Sequence, residues 1–145
     1  MDSGYWQVVV EEEAREILAF FIPHGKLRRR VMPMGALDAA PAFIEMTMKL
    51  KMEWDTLAKE HGLTNVASKI IVDDVLLYGC KAKQLLVYFR TVLGVLKQHS
   101  ATLKLKKCKW FQYRCEFVGM DVAAGVTQPA QSKNEAFDNI ELPNT

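Results

Sequence analysis

Two adjacent carboxylates, Asp73 and Asp74, stand in the middle of the otherwise apolar run KIIVDDVLLYG, residues 69–79. A buried, unpaired carboxylate costs several kcal/mol and is normally excluded or neutralised. Something must hold this pair in water or give it a partner. Two hard oxygen ligands on a tight turn between apolar strands are rigidly aimed, as a Mg²⁺ site for phosphoryl transfer requires. Aspartate is equally at home in an ordinary turn, where it solvates itself. The stretch alone leaves both readings open.

Other residues that could do chemistry are fewer. Lys104, Lys106, Lys107 and Lys109 form the strongest basic cluster, either a solvated strand edge or a set of phosphate contacts. Glu11, Glu12 and Glu13 are consecutive, so their side chains diverge and form a solvated run rather than a metal cluster. Five methionines between Met32 and Met52 read as gap-fillers of a core. Cys80, Cys108 and Cys115 have no zinc-ligand spacing and leave an odd thiol over, the pattern of reduced cysteines in an intracellular protein of cytoplasm or nucleus, not a secreted one.

These groups must be positioned by one domain of 145 residues, half of them hydrophobic, with a net charge of only +2. So small a net charge makes no case for a polyanionic partner; local distribution matters more. No apolar run reaches membrane-spanning length, and the N-terminus has no signal-peptide pattern. WQVVV and ILAFFIP predict strands, EEEARE between them a solvated turn, HG (His24, Gly25) the next turn, and KLRRRVMP a returning strand. Phe43, Thr47, Leu50, Trp54 and Leu57 recur three or four apart, predicting a long helix that starts at Asp38 and stops at Gly62. KIIV and VLLY predict a hairpin with the aspartates at its turn. Leu85, Phe89, Val92 and Leu96 predict a second helix. ATLKLKKCKW predicts a strand and RCEFVGMDVAAGV a hairpin bending at Gly119 and Gly125. The mixture, without regular βαβ alternation, predicts an α+β fold whose antiparallel sheet is backed by two helices.

Four stretches occur in order: DSGYWQVVV, VMPMGALDAAPAF, KIIVDDVLLYG and LKLKKCKWF…CEFVGMDV. Together they resemble the reverse transcriptase palm of gypsy-type long-terminal-repeat retrotransposons, and more distantly that of retroviruses. The resemblance implies RNA-directed DNA synthesis by two-metal-ion nucleotidyl transfer with Mg²⁺ or Mn²⁺. The implied partners are an RNA or DNA template–primer and deoxyribonucleoside triphosphates, with no membrane. Asp73 and Asp74 match the metal-binding catalytic pair. Tyr5 matches the residue under the nucleotide sugar, Met34 and Gly35 the loop lining the nucleotide site, and Lys107 a phosphate contact. Phe117, Val118, Gly119 and Met120 match the hairpin that holds the primer end. Residues 1–126 would be a palm with a finger hairpin inserted at about 10–37, and residues 127–145 a polar tail beginning a truncated connection or thumb.

The chain also departs from the family's pattern. Met1 matches the residue after the family's first catalytic aspartate, so Asp2 falls at a variable position and the third carboxylate is expected to be missing. Ile71 replaces the usual tyrosine, Ile17 a common lysine, and Arg29 a buried aromatic, where an unpartnered guanidinium would be destabilising. The spacing from Gly35 to Pro41 is one residue longer than usual. These features imply a fragmentary copy, inactive as an isolated chain, without the rest of the fingers, the thumb or a ribonuclease H. The alternative is a non-catalytic nucleic-acid-binding or structural transposon remnant.

Overall fold

A computed structural model describes residues 4–130. The chain divides into two compact units, Met1–Lys104 and Leu105–Thr145. Of the polar tail expected at 127–145, residues 131–145 lie outside the described residues, as does Asp2.

The first unit is built on helix α2, Ala39–Glu60, which follows the short helix α1, Glu12–Ile17. Asp38 occupies the residue before α2 and accepts from the Ala42 N–H at 3.0 Å through its carbonyl, while its side chain makes no capping bond. Pro41 sits in the first turn, where a missing N–H costs nothing. Phe43, Thr47, Leu50 and Trp54 form the buried stripe, as the helical period predicts, but it ends on buried Ala58 while Leu57 is only half-buried. At the far end the Leu63 N–H reaches the Ala58 carbonyl at 2.9 Å and the Gly62 N–H reaches Lys59 at 2.9 Å. Gly62 has φ +67°, a Schellman ending in which glycine avoids a Cβ clash.

Strands β3, Val66–Ile71, and β4, Asp74–Gly79, follow as an antiparallel hairpin, and α3, Ala82–Gln98, returns beside α2. The core joins Leu50, Trp54 and Ala58 of α2 to Tyr88, Val92, Val95 and Leu96 of α3. Val66, Ile70, Val75 and Leu77 of the hairpin pack against it. Each large apolar side chain so buried contributes roughly 1.5–3 kcal/mol. Outside this body, β1, Phe20–Ile22, and β2, Gly25–Leu27, pair antiparallel across Pro23 and His24. The second unit is a meander of β5, Arg114–Phe117, β6, Met120–Ala123, and β7, Val126–Pro129. Sheet and helix thus mix as expected for an α+β chain, with the strands in three small antiparallel sheets among the described residues.

Several local expectations are corrected. WQVVV is not a strand: Gly4–Gln7 is a 3₁₀ turn, and only Val9 pairs, through a single bridge to Val31. EEEARE is helix rather than turn, with Glu12 and Glu13 at the end where the helix dipole favours carboxylates. The returning strand ends at Leu27, well short of Pro33. Arg29 faces no core; it is exposed, with its guanidinium 4.9 Å from the Phe20 ring centroid, a cation–π contact. The methionines do not fill a core uniformly, since Met34, Met48 and Met52 are exposed. ATLKLKKCKW is not a strand: Leu105–Lys107 is a 3₁₀ turn.

Candidate functional site

The aspartate pair sits at the tip of the β3–β4 hairpin. Register pairs Ile71 with Asp74, so the two-residue turn is Val72–Asp73 and Asp74 is the first residue of β4. The turn is therefore one residue earlier than the doublet itself. Both carboxylates are exposed, which removes the burial cost that their apolar surroundings suggested. Val72 has φ +54°. A β-branched residue in this left-handed region is strained, and the strain persists only where the surroundings enforce it.

Beneath the hairpin lies a network of polar side chains. Ser68, on β3 and buried, accepts from the indole Nε1–H of Trp54 at 3.1 Å and donates to Asp55 Oδ1 at 3.4 Å. Buried Tyr88 donates its hydroxyl to the same Asp55 oxygen at 2.6 Å, and Lys51 pairs with the other oxygen. One carboxylate on α2 thereby ties α3 to the hairpin strand. Burial, and then the hydrogen bond to Asp55, hold the Tyr88 hydroxyl protonated well above the usual tyrosine range. Sequence reasoning missed Asp55, Ser68 and Tyr88. Tyr88 lay one residue from Phe89, on the face the period had already marked.

Tyr5 is half-buried on the Gly4–Gln7 turn, its ring centroid 5.4 Å from that of Phe43 at an interplanar angle of 53°. Gly4 lies so close to Phe43 that a Cβ there would fall 2.6 Å from the ring, so no larger residue fits without displacing it. The Gln7 side chain completes the anchor. Its Oε1 accepts from the Thr102 N–H at 2.8 Å and its Nε2 donates to the Thr102 carbonyl at 3.2 Å. This side-chain amide does for Thr102 what a neighbouring strand would have done. Met34 and Gly35 lie in an exposed turn, Gly35 with φ +85°.

In the second unit, Lys106, Lys107 and Lys109 are exposed on and beside the 3₁₀ turn. Phe117 pairs with Met120 across a turn of Val118 and Gly119, with φ +52° and +71°. Positive φ at both central residues is the hairpin geometry that matches strand twist. Ala130 closes the meander, its N–H donating to the Gly119 carbonyl at 3.0 Å. Among the described residues no three histidine, cysteine, aspartate or glutamate side chains converge as a metal cluster. Asp73 and Asp74 are the adjacent pair of hard carboxylates that a divalent cation would accept.

An exposed acidic hairpin mounted on a two-helix core is the frame of a polymerase palm, and the family comparison agrees. The model for reverse transcriptase (RNA-dependent DNA polymerase) matches residues 1–122, and the chain belongs to that family. It is similar to the enzymatic polyprotein of Figwort mosaic virus (strain DxS), 27% identical over 141 residues, covering 95% of this chain and 19% of that protein. It is also similar to the retrovirus-related Pol polyprotein from transposon 412 of Drosophila melanogaster, 24% identical and covering 97% of this chain and 11% of that one. The chain thus spans under a fifth of the length of these curated relatives. Among solved structures, the foamy viral protease–reverse transcriptase in complex with double-stranded DNA matches all of this chain and 24% of its own, with a TM-score of 0.83 at 18% identity. The same viral protein with an RNA/DNA hybrid matches at 0.76 and 20%. These likenesses are of fold. No helix among the described residues is long and apolar enough to cross a membrane.

Proposed function

We propose that the chain is the palm segment, with part of the fingers, of an RNA-directed DNA polymerase from a gypsy-type long-terminal-repeat element. The observation that carries this reading is the exposed Asp73–Asp74 pair at a strained turn, held on a buried polar network, in a chain of the reverse transcriptase family. In this reading residues 1–126 are palm, with the finger hairpin at about 10–37, and residues 127–145 begin the connection to a thumb. Asp73 and Asp74 hold Mg²⁺ or Mn²⁺. When bound, the ions supply charge neutralisation at the triphosphate and lower the pKa of the primer 3′-hydroxyl.

The protein's own part is positioning. The hairpin fixes both carboxylates. Tyr5, braced by Phe43, lies under the deoxyribose and excludes a 2′-hydroxyl by bulk. Met34 and Gly35 line the nucleotide and Lys107 meets its phosphates. Phe117, Val118, Gly119 and Met120 hold the primer end on the template. Two ions about 3.5–4 Å apart need more carboxylates than this hairpin has. In this reading the chain supplies two of the carboxylates and lacks the third, and the 145-residue chain alone does not extend a primer.

Titrating the purified chain with Mn²⁺, followed by electron paramagnetic resonance, tests the metal site. Asp73→Asn is expected to weaken binding at least about ten-fold; equal binding would overturn the metal reading. Primer extension assayed in Mg²⁺ and Mn²⁺ is expected to be absent. Extension by the isolated chain that vanishes in Asp73→Asn would uphold the metal site and overturn the claim of inactivity.

A further inference from the structure

Helix α3 turns Tyr88, Val92, Val95 and Leu96 into the core of the first unit. Its three cations, Lys83, Arg90 and Lys97, stand seven residues apart on the opposite, exposed side, and the helix carries no carboxylate. At the rise of an α-helix they form one row with a spacing of about 10.5 Å. Leu86 and Leu93, also seven apart, form the adjoining row and are 41% and 37% exposed. Val87, 43% exposed, and Gly94, where a Cβ would meet nothing, line the other flank. Solvated helix faces usually mix the two signs of charge, as α2 does with its Glu45–Lys49 and Lys51–Asp55 pairs. Among the described residues none of the three α3 cations pairs with a carboxylate.

We infer that the outer face of α3 is a docking surface for an acidic amphipathic helix of another protein. The partner's apolar row seats on Leu86 and Leu93, and its carboxylates, one every seven residues, meet Lys83, Arg90 and Lys97. The unit basic-x-x-Leu occurs twice at a seven-residue interval, Lys83 with Leu86 and Arg90 with Leu93, and Lys97 adds a third cation in step. An apolar row flanked by charges at this interval is the pattern by which one helix selects another. A seven-residue repeat drifts by about 20° per repeat around a straight helix, and a helix wound left-handed about α3 follows that drift. Charge then decides the sign of the partner, since a face with cations alone favours carboxylates and repels other cations. A phosphate backbone would satisfy the cations but leave both leucines uncovered. A membrane surface takes an undivided apolar face, whereas here the cations separate Leu86 and Leu93 from Val87. The face lies away from the hairpin side of α3, so docking there needs neither metal nor nucleotide.

The test is fluorescence anisotropy of a labelled synthetic peptide with the intact 145-residue chain, in EDTA so that failure of the metal reading does not enter. The peptide is a helix of three heptads with leucine and glutamate each repeating every seven residues. It is expected to bind, and a peptide of the same composition with its glutamates five apart is expected to bind at least about ten-fold more weakly. Arg90→Glu, at the centre of the row, should weaken binding at least about ten-fold, and reversing the peptide's central glutamate to arginine should restore it. Leu93→Ala should weaken binding roughly ten-fold through lost apolar contact. Both residues are exposed, and unchanged circular dichroism certifies the fold of each variant. No binding of the heptad peptide, equal affinity for the two peptides, or unchanged affinity in both variants would overturn the proposal. So would tighter binding of an oligothymidylate or of phosphatidylserine vesicles than of the peptide, if Arg90→Glu abolishes it.

Discussion

The chain uses the same device twice, in two different settings. The β3–β4 hairpin and the β5–β6 hairpin each turn over two residues whose first is a valine forced to positive φ, Val72 at +54° and Val118 at +52°. The first hairpin rests on α2 and α3, with Trp54 wholly buried and a carboxylate, two hydroxyls and an indole joined beneath it. Among the described residues of the second unit, only Ala130 is buried, and none is in an α-helix. A strained turn on a packed base holds its side chains in one place. The second turn stands on a three-stranded meander whose strands pair through their backbones.

That contrast predicts where substitutions are felt. Trp54→Ala should have the largest effect, about 3–5 kcal/mol in chemical denaturation, because it empties the centre of the first core and takes the indole donor from Ser68. A loss below about 1 kcal/mol would mean the hairpin does not depend on that base. Tyr88→Phe should cost about 1–3 kcal/mol by removing a donor from the half-buried carboxylate of Asp55.

The same tyrosine gives a pH test. Its hydroxyl is held protonated above its ordinary value, so the unfolded chain releases that proton first as pH rises. Stability is intact below about pH 10, the unfolded tyrosine value. It then falls as pH climbs toward the raised folded value. Tyr88→Phe should fall less steeply over that window, and parallel slopes would remove Tyr88 as the cause.

Smaller changes distinguish the two turns. Gly119→Ala puts a Cβ at φ +71° and should cost about 1 kcal/mol, read as a lower melting temperature of the full chain. Val72→Gly relieves the strain but frees the unfolded backbone, for a net gain below about 1 kcal/mol. If Val72→Gly also weakens Mn²⁺ binding, the strain serves to aim the carboxylates. If binding holds while stability rises, the packed base aims them unaided.

Much of the first unit was legible in the sequence because its elements are local. Phe43, Thr47, Leu50 and Trp54 announce α2 by spacing alone, and apolar runs on either side of a polar turn announce a hairpin. The order of four short motifs identified the family. What stayed hidden depends on distant partners. Asp55, Ser68 and Tyr88 meet across separations of 13 and 33 residues, and no window of sequence joins them. The valine run at residues 8–10 has strand propensity but finds only one bridge, since Gly4 and Tyr5 are committed to packing on Phe43. The leucine–lysine alternation after Thr102 misled for a related reason: alternation makes a strand only where a neighbour offers a ladder.

The amide of Gln7 closes a span of 95 residues with two hydrogen bonds. During synthesis that clasp has no counterpart until Thr102 has left the ribosome, by which time both long helices and the acidic hairpin have emerged. The Gly4–Gln7 turn, which emerges before both long helices, is therefore secured after them. Loop-closure entropy works against so distant a contact until the intervening elements have compacted. The Gly4–Gln7 turn reaches its final place only when the rest of the unit brings Thr102 back to Gln7.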